Sequence, residues 1–397
     1  VTARAAAKGA RPFDEPVTER LLDERAREVR EQLRTIIDAE IAPNAAHYDE
    51  TGEFAGPSYL ALARAGMAGL LFPAELGGSG DNAVTYAMAV AEIAARCPAT
   101  SLIYMTQMHA GYPVMLAGTE EQRRRWVPPL CRGELYGSLA ITEPAAGSDM
   151  ASMTTTARRD GDGYRVSGSK TFITNGDVAG LIIVFATVDR SAGRRGITAF
   201  LMPGDAPGLA RGRVLAKMGM HGSSTAELFF DQVYLPESAR LGAEGEGWSI
   251  SMRSVVKSRL SAAAQGVGIA TRAYELAARS YHGRQSADQA TGSDLAELRT
   301  RLLTGRTLLY ATAAAIEDGI AGIDAQVSAM KLWCTDLGVE LADRACDLLG
   351  AEGDLACYEA ERLLRDARVT QIYDGTNEIQ RLIIARDSAH RQTGQPA

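Results

Sequence analysis

With 397 residues, 46% of them hydrophobic, the chain can bury a sizeable core in two or three packing units. Its 42 lysines and arginines stand against 49 acids, and the longest basic run, Arg123-Arg124-Arg125, follows Glu120 and Glu121, so nothing in the charge suggests a nucleic-acid surface. No apolar stretch approaches the roughly 18 residues of a membrane span, and five scattered cysteines, never spaced C-x-x-C, are expected to be reduced structural thiols of a cytoplasmic protein.

The first eleven residues carry Arg4, Lys8 and Arg11 and no acid, yet lack the apolar core of a targeting signal; residues 1–15 are expected to be a disordered tail. Residues 16–135 are expected to form a helical domain. In residues 19–41 Leu, Val and Ile recur at three- and four-residue steps among charges, as an amphipathic surface helix requires. Thr119-Glu-Glu-Gln122 reads as a capping box opening a further helix. Gly78-x-Gly80-x-x-Ala83 has the spacing of a dinucleotide fingerprint, which needs a strand before it. The preceding residues read as a helix end, so a plain loop is expected.

At Tyr136 the texture changes. Asp160-Gly-Asp-Gly163 is a hairpin signal, and residues 164–166, 181–188, 197–202 and 227–235 are β-rich, so residues 136–238 are expected to be a middle domain of antiparallel strands. From 239 to 397 the chain is rich in Ala, and two apolar stripes, one through Leu260, Ala263 and Val267 and one through Val327, Met330 and Cys334, step three and four at a time. Small residues on such faces let long helices approach closely, which predicts a C-terminal helical bundle domain. The expected fold class is mainly α with a middle antiparallel β domain.

Metal chemistry has little support, because the five histidines are far apart and no H-E-x-x-H or Cys/His cluster occurs. Ser167-Gly-Ser-Lys170 and Ser254-Val-Val-Lys257 match S-x-x-K without its partner motifs and read as coincidence. Three stretches remain. Thr142-Glu-Pro-Ala-Ala-Gly-Ser-Asp149 and Lys170-Thr-Phe-Ile-Thr-Asn-Gly176 place small residues beside the hydroxyls of Thr142, Ser148 and Thr174, which could hold a flat polar ring and a phosphate. The third, Gln371-Ile-Tyr-Asp-Gly-Thr-Asn-Glu-Ile-Gln-Arg381, carries Asp374 between apolar Tyr373 and a Gly-Thr turn. Asp374 reads either as a cap of the following helix or as a general base, since an apolar neighbourhood disfavours the charged form and favours taking up a proton.

With Gly222-Ser-Ser-Thr-Ala-Glu-Leu228 and the run from Arg365 to Arg381 added, the chain resembles the acyl-CoA dehydrogenase family over nearly its whole length. The resemblance implies an N-terminal helical domain, a middle β domain and a C-terminal four-helix bundle, assembled as a homotetramer or homodimer. It implies FAD between the β domain and the bundle, its adenosine end reaching a neighbouring subunit. In that picture Thr142 bonds the pyrimidine side of the flavin, Ser148 the pyrophosphate region and Thr174 the hydride-accepting nitrogen, while Phe172 packs on the ring. Thr376 and Glu378 match positions that touch the adenosine and pyrophosphate half, Arg284 would reach the pyrophosphate, and Arg259 keeps a basic position near the reacting centre.

The implied substrate is an acyl thioester of CoA or of a carrier protein. Its α-hydrogen leaves as a proton, its β-hydrogen as hydride to the flavin, and an acceptor flavoprotein takes the electrons. Asp374 stands where most relatives carry the catalytic Glu; the alternative family position is Ser258, which cannot serve as the base. Asp is one methylene shorter, about 1.5 Å. The pattern is also broken at His221, at Ala287-Asp288 and at Asp347-Leu-Leu-Gly-Ala-Glu-Gly353. Two other functions stay open: a flavin oxidase of nitroalkane-oxidase type using Asp as base, with a flavin N-hydroxylase as a weaker variant, and a non-catalytic acyl-binding scaffold.

Overall fold

The computed structural model describes residues 15–283, 288–356 and 359–393; apart from Glu15, the expected tail lies outside them. The chain opens with α1 (Pro16–Glu19), α2 (Glu24–Ile36), α3 (Ala45–Thr51), α4 (Gly56–Arg64), α5 (Ala83–Ala94), α6 (Pro98–Ala117) and α7 (Glu120–Cys131). The helix expected from residue 19 begins later, because the Asp23 carboxylate caps it by accepting from the Ala26 N–H at 2.7 Å. Its buried stripe of Val29, Leu33, Ile37 and Ile41 runs on through a last turn that widens to π geometry. The capping box forms as read: Thr119 Oγ1 accepts from the Gln122 N–H at 3.2 Å, and Gln122 Oε1 accepts from the Thr119 N–H at 2.9 Å. The Gly78–Gly80 loop follows short 3₁₀ turns, not a strand, and enters α5 through the Asn82 cap.

One sheet follows, built from β1 (Gly137–Ala140), β2 (Thr156–Asp160), β3 (Gly163–Thr174), β4 (Leu181–Thr187), β5 (Ile197–Pro203), β6 (Leu209–Val214), β7 (Thr225–Pro236) and β8 (Arg240–Leu241). The order is β6-β7-β3-β2-β4-β5-β8, with β1 beside β4. Most pairings are antiparallel, as expected of the middle domain; β1, a strand not among those read from the sequence, runs parallel to β4, and β2 meets β4 in parallel at Thr156 and Thr187. β4 is buried along its whole length. β6, with the sequence LARGRV, is an edge strand whose arginines and glycine gave no β signal; charge on an edge also blocks unwanted pairing.

The C-terminal helices are α8 (Gly247–Gly283), α9 (Gln289–Glu317), α10 (Asp324–Leu349), α11 (Ala360–Arg368) and α12 (Asn377–Thr393). The role read for small residues holds at Gly266, where an added Cβ would lie 2.4 Å from the Cys334 carbonyl oxygen of α10. One hydrophobic cluster runs from α2, α5 and α6 into α8, α9 and α10, while two others line the faces of the sheet. Among the described residues no helix is long and apolar enough to cross a membrane.

The β6–β7 loop locks these parts together. Buried Asp366 of α11 accepts from the N–H of Met220, which sits at φ 55°. Next to it Arg365 grips both carboxylate oxygens of Asp49 on α3, at 2.6 and 3.0 Å, and His221 Nδ1 lies 2.8 Å from the Asp49 carbonyl. Burial pushes the Asp366 carboxyl up from 3.8 to about 6, against the Met220 N–H. A carboxyl raised on folding stabilises fully below its unfolded value and loses that contribution as pH rises through about 6. Wild type should therefore gain roughly 2–3 kcal/mol over Asp366→Asn between pH 7 and 4. Denaturant unfolding at both pH values checks this; an identical pH dependence in the two proteins would refute it.

Candidate active site

After α11 the chain makes a 3₁₀ turn at Val369–Gln371 and reverses through two left-handed residues, Asp374 at φ 56° and Gly375 at φ 87°. Asp and Asn enter this region more readily than other side chains, which suits a short acid to the place. The cap of α12 is Thr376, whose Oγ1 accepts from the Ile379 N–H at 3.4 Å. Sequence alone left Asp374 itself open as that cap. Asp374 is thus released from capping, and its Oδ2 is buried without a hydrogen-bond partner.

The carboxylate faces cations from two helices. Arg259 of α8 is buried, with Nη1 3.4 Å from Ser328 Oγ and Nε unpartnered; burial pushes the guanidinium down, while Asp324 and Asp374 pull it up. Lys331 of α10 is fully buried, and burial pushes its ammonium down to about 8 against the pull of Asp374. Its Nζ donates to Asn377 Oδ1 at 2.8 Å, and Asn377 Nδ2 and Gln371 Nε2 both donate to Asp336 Oδ1 at 2.7 Å. The turn carrying Asp374 is therefore bolted to α10. Sequence reading missed Lys331, although a lysine four residues after Val327 on a buried stripe was a signal. Ser258 donates back to the Ser254 carbonyl at 3.1 Å within α8.

A second cluster lies on the sheet. The Thr171 N–H donates to the Thr142 carbonyl at 2.9 Å, and the Asn175 N–H to the Ser224 carbonyl at 3.1 Å, so the motifs at 142–149, 170–176 and 222–228 meet there. Beneath them Lys170 Nζ lies 2.9 Å from both Glu143 Oε1 and the Ile141 carbonyl, with Lys170 and Glu143 side chains 0% and 1% exposed. Burial pushes Glu143 up, but the Lys170 charge and hydrogen bonds from Thr155, Lys170 and Thr154 hold it at about 2. The β3–β7 ladder slips between Lys170 and Ile173, and Phe172 turns out of this bulge at φ 56°, 68% exposed. Thr142 and Thr174 are half-buried near it; Ser148 and Glu378 are exposed. Arg284 and Ala287 lie outside the described residues.

Family models for the acyl-CoA dehydrogenase N-terminal, middle and C-terminal domains match residues 23–134, 138–233 and 245–389. The chain belongs to the acyl-CoA dehydrogenase family. It is 38% identical to an acyl-CoA dehydrogenase of Bacillus subtilis, over 90% of this chain and 96% of the relative. Butyryl-CoA dehydrogenase from Megasphaera elsdenii superimposes with a TM-score of 0.90 at 31% identity, covering 93% of this chain and 99% of the other. The prolyl acyl carrier protein oxidase AnaB superimposes with a TM-score of 0.88 at 32% identity, covering 92% and 99%. This acyl-CoA dehydrogenase family member is an FAD-dependent oxidoreductase. Its residues fit a flavin: Phe172 presents a ring that the chain leaves uncovered, in a backbone conformation costing about 1–3 kcal/mol. The buried hydroxyls of Ser223 and Ser224, in the motif behind Asn175, also lack partners.

Proposed function

We propose that this chain oxidises an acyl thioester, with Asp374 removing the α-proton as the β-hydrogen leaves as hydride. Bound FAD supplies the hydride acceptor. Thr142, Ser148, Phe172 and Thr174 would hold it from the sheet side, and Thr376, Glu378 and Arg284 toward its adenosine half. The observation that carries this reading is the buried, unpartnered Oδ2 of Asp374. A buried acceptor without a partner costs stability, and such an atom is expected where a substrate completes it. Arg259 and Lys331 place positive charge toward the Asp374 carboxylate. Assembly as a homotetramer or homodimer, and transfer of electrons to an acceptor flavoprotein, belong to the same proposal.

Mixing the FAD-loaded protein anaerobically with CoA and carrier-protein thioesters should bleach the oxidised flavin band. No bleaching with either class would sink the proposal. One observation favours a second reading: the acid is a methylene short, and a displacement near 1 Å can cost about a hundredfold in rate. A flavin oxidase that deprotonates a more acidic carbon would tolerate that loss. Rapid oxygen consumption and peroxide release with nitroethane, without flavin reduction by thioesters, would select it.

A further inference from the structure

Asp374 is not the one unsatisfied polar side chain in its neighbourhood. His109 of α6 is 9% exposed, and its Nε2 has no hydrogen-bond partner. Burial pushes this imidazole down while the Asp374 carboxylate pulls it up, so a neutral ring lies within electrostatic reach of the base.

The packing of α6 shows which way His109 faces. Gln107 Oε1 accepts from the Gly137 N–H of β1 at 2.7 Å, and an added Cβ on Gly137 would lie 2.4 Å from Ala110 Cβ, so these two residues face the sheet. Tyr112, one turn beyond His109, instead lies beside α8, with Lys257 Nζ 6.0 Å from its ring centroid. His109 shares that face. It looks toward the stretch of α8 that carries Ser258, Arg259 and Ser261.

Several polar groups on these walls are satisfied within the chain. Tyr86 OH and Ser261 Oγ lie 2.9 Å apart, Ser261 Oγ also reaches the Lys257 carbonyl at 3.0 Å, and Tyr373 OH donates to Gln265 Oε1. An apolar residue would fill the place of His109 without the cost of an unpaired buried nitrogen. Atoms without partners remain on Asp374, His109, Arg259 (Nε) and Gln380 (Oε1), and of these four residues His109 is the one carried by α6.

We infer that His109 hydrogen-bonds a nitrogen or oxygen carried by the acyl group near its reacting carbons, so that the substrate is a heteroatom-bearing acyl thioester and not a plain fatty acyl one. His109 is then a specificity-determining residue. The inference rests on the thioester reading above. A site that leaves a buried polar group unpaired with the wrong ligand discriminates against that ligand by tenfold to about a hundredfold.

Three pantetheine thioesters with the same ring size test it: cyclopentanecarbonyl, tetrahydrofuran-2-carbonyl, which can only accept, and pyrrolidine-2-carbonyl, which carries an N–H. Affinity is read from perturbation of the flavin absorbance in the FAD-loaded Asp374→Asn variant, where proton removal does not intervene. At least one heteroatom thioester should bind tenfold or more tightly than the cyclopentane compound. That ratio should fall toward one in Asp374→Asn/His109→Leu, and Asp374→Asn/His109→Gln should retain part of it. An unchanged ratio without His109, or no preference with it, overturns the inference. If the ratio behaves as expected but wild type shows no flavin reduction by any thioester, the catalytic proposal falls and the specificity assignment stands. If none of the three binds to protein that holds its FAD, both fall.

Discussion

Replacing Asp374 by Asn should slow flavin reduction by an acyl thioester by about a hundredfold to ten-thousandfold while leaving the bound flavin unchanged. A positioned general base contributes roughly 10²–10⁴ to rate, and Asn removes the proton acceptor while keeping shape and tolerance of the left-handed φ of 56°. The turn is held from elsewhere, by Gln380 Nε2 on the Gly375 carbonyl at 2.7 Å and by Asn377 on Asp336. Anaerobic stopped-flow reduction, with flavin content measured on the same sample, separates chemistry from binding. Reduction near the wild-type rate in the FAD-loaded variant would remove Asp374 from the mechanism. Asp374→Glu makes a companion: if the substrate places its α-carbon where a longer acid would reach it, the rate should rise by up to about a hundredfold.

The second large effect concerns the ion pair beneath the flavin motifs. Lys170→Met should destabilise the protein by about 3–5 kcal/mol, because Glu143 would keep its charge in a place with almost no access to water. Removing Glu143 as well should not restore stability. Its Oε2 accepts from the Thr154 N–H at 2.6 Å and Thr154 Oγ1 at 2.7 Å, and its Oε1 from the Thr155 N–H at 3.0 Å, so the double variant leaves those donors unmet. The pair also sets the height of the Thr142 segment against the Thr171 segment, so FAD retention should fall with stability. Denaturant unfolding, together with the 450 nm absorbance remaining after gel filtration, checks both. A loss under about 1 kcal/mol would show that the pair is dispensable.

Much of this was legible in sequence because it is local. The capping box at Thr119 needs residues three apart, and the bundle stripes need small and apolar residues at helical steps. The exposed aromatic at 172 and the acid at 374 lie inside motifs whose spacing carries them. What sequence did not show depends on residues brought together from afar. Lys331 meets Asn377 from 46 positions away, and Met220 meets Asp366 from 146. The orphaned His109 looked like one more isolated histidine until α8 was packed against α6. Whether Asp374 caps α12 or stands free of it turned on a backbone reversal at 374–375 that local sequence did not show. The parallel β1–β4 pairing escaped because Gly137–Ala140 is too short to announce a direction.

The seat of the β6–β7 loop also bears on how a substrate enters. An added Cβ at Gly219 would lie 2.4 Å from the backbone of Arg365, so the loop rests directly on α11. Any hinge opening of the sheet against the helices would have to part that contact, the Met220–Asp366 hydrogen bond and the anchorage of His221 on Asp49 in one movement. Amide protons of residues 217–222 should therefore exchange with solvent no faster than those of α11. A substrate carried on a slender tether would not require that three-point contact to part.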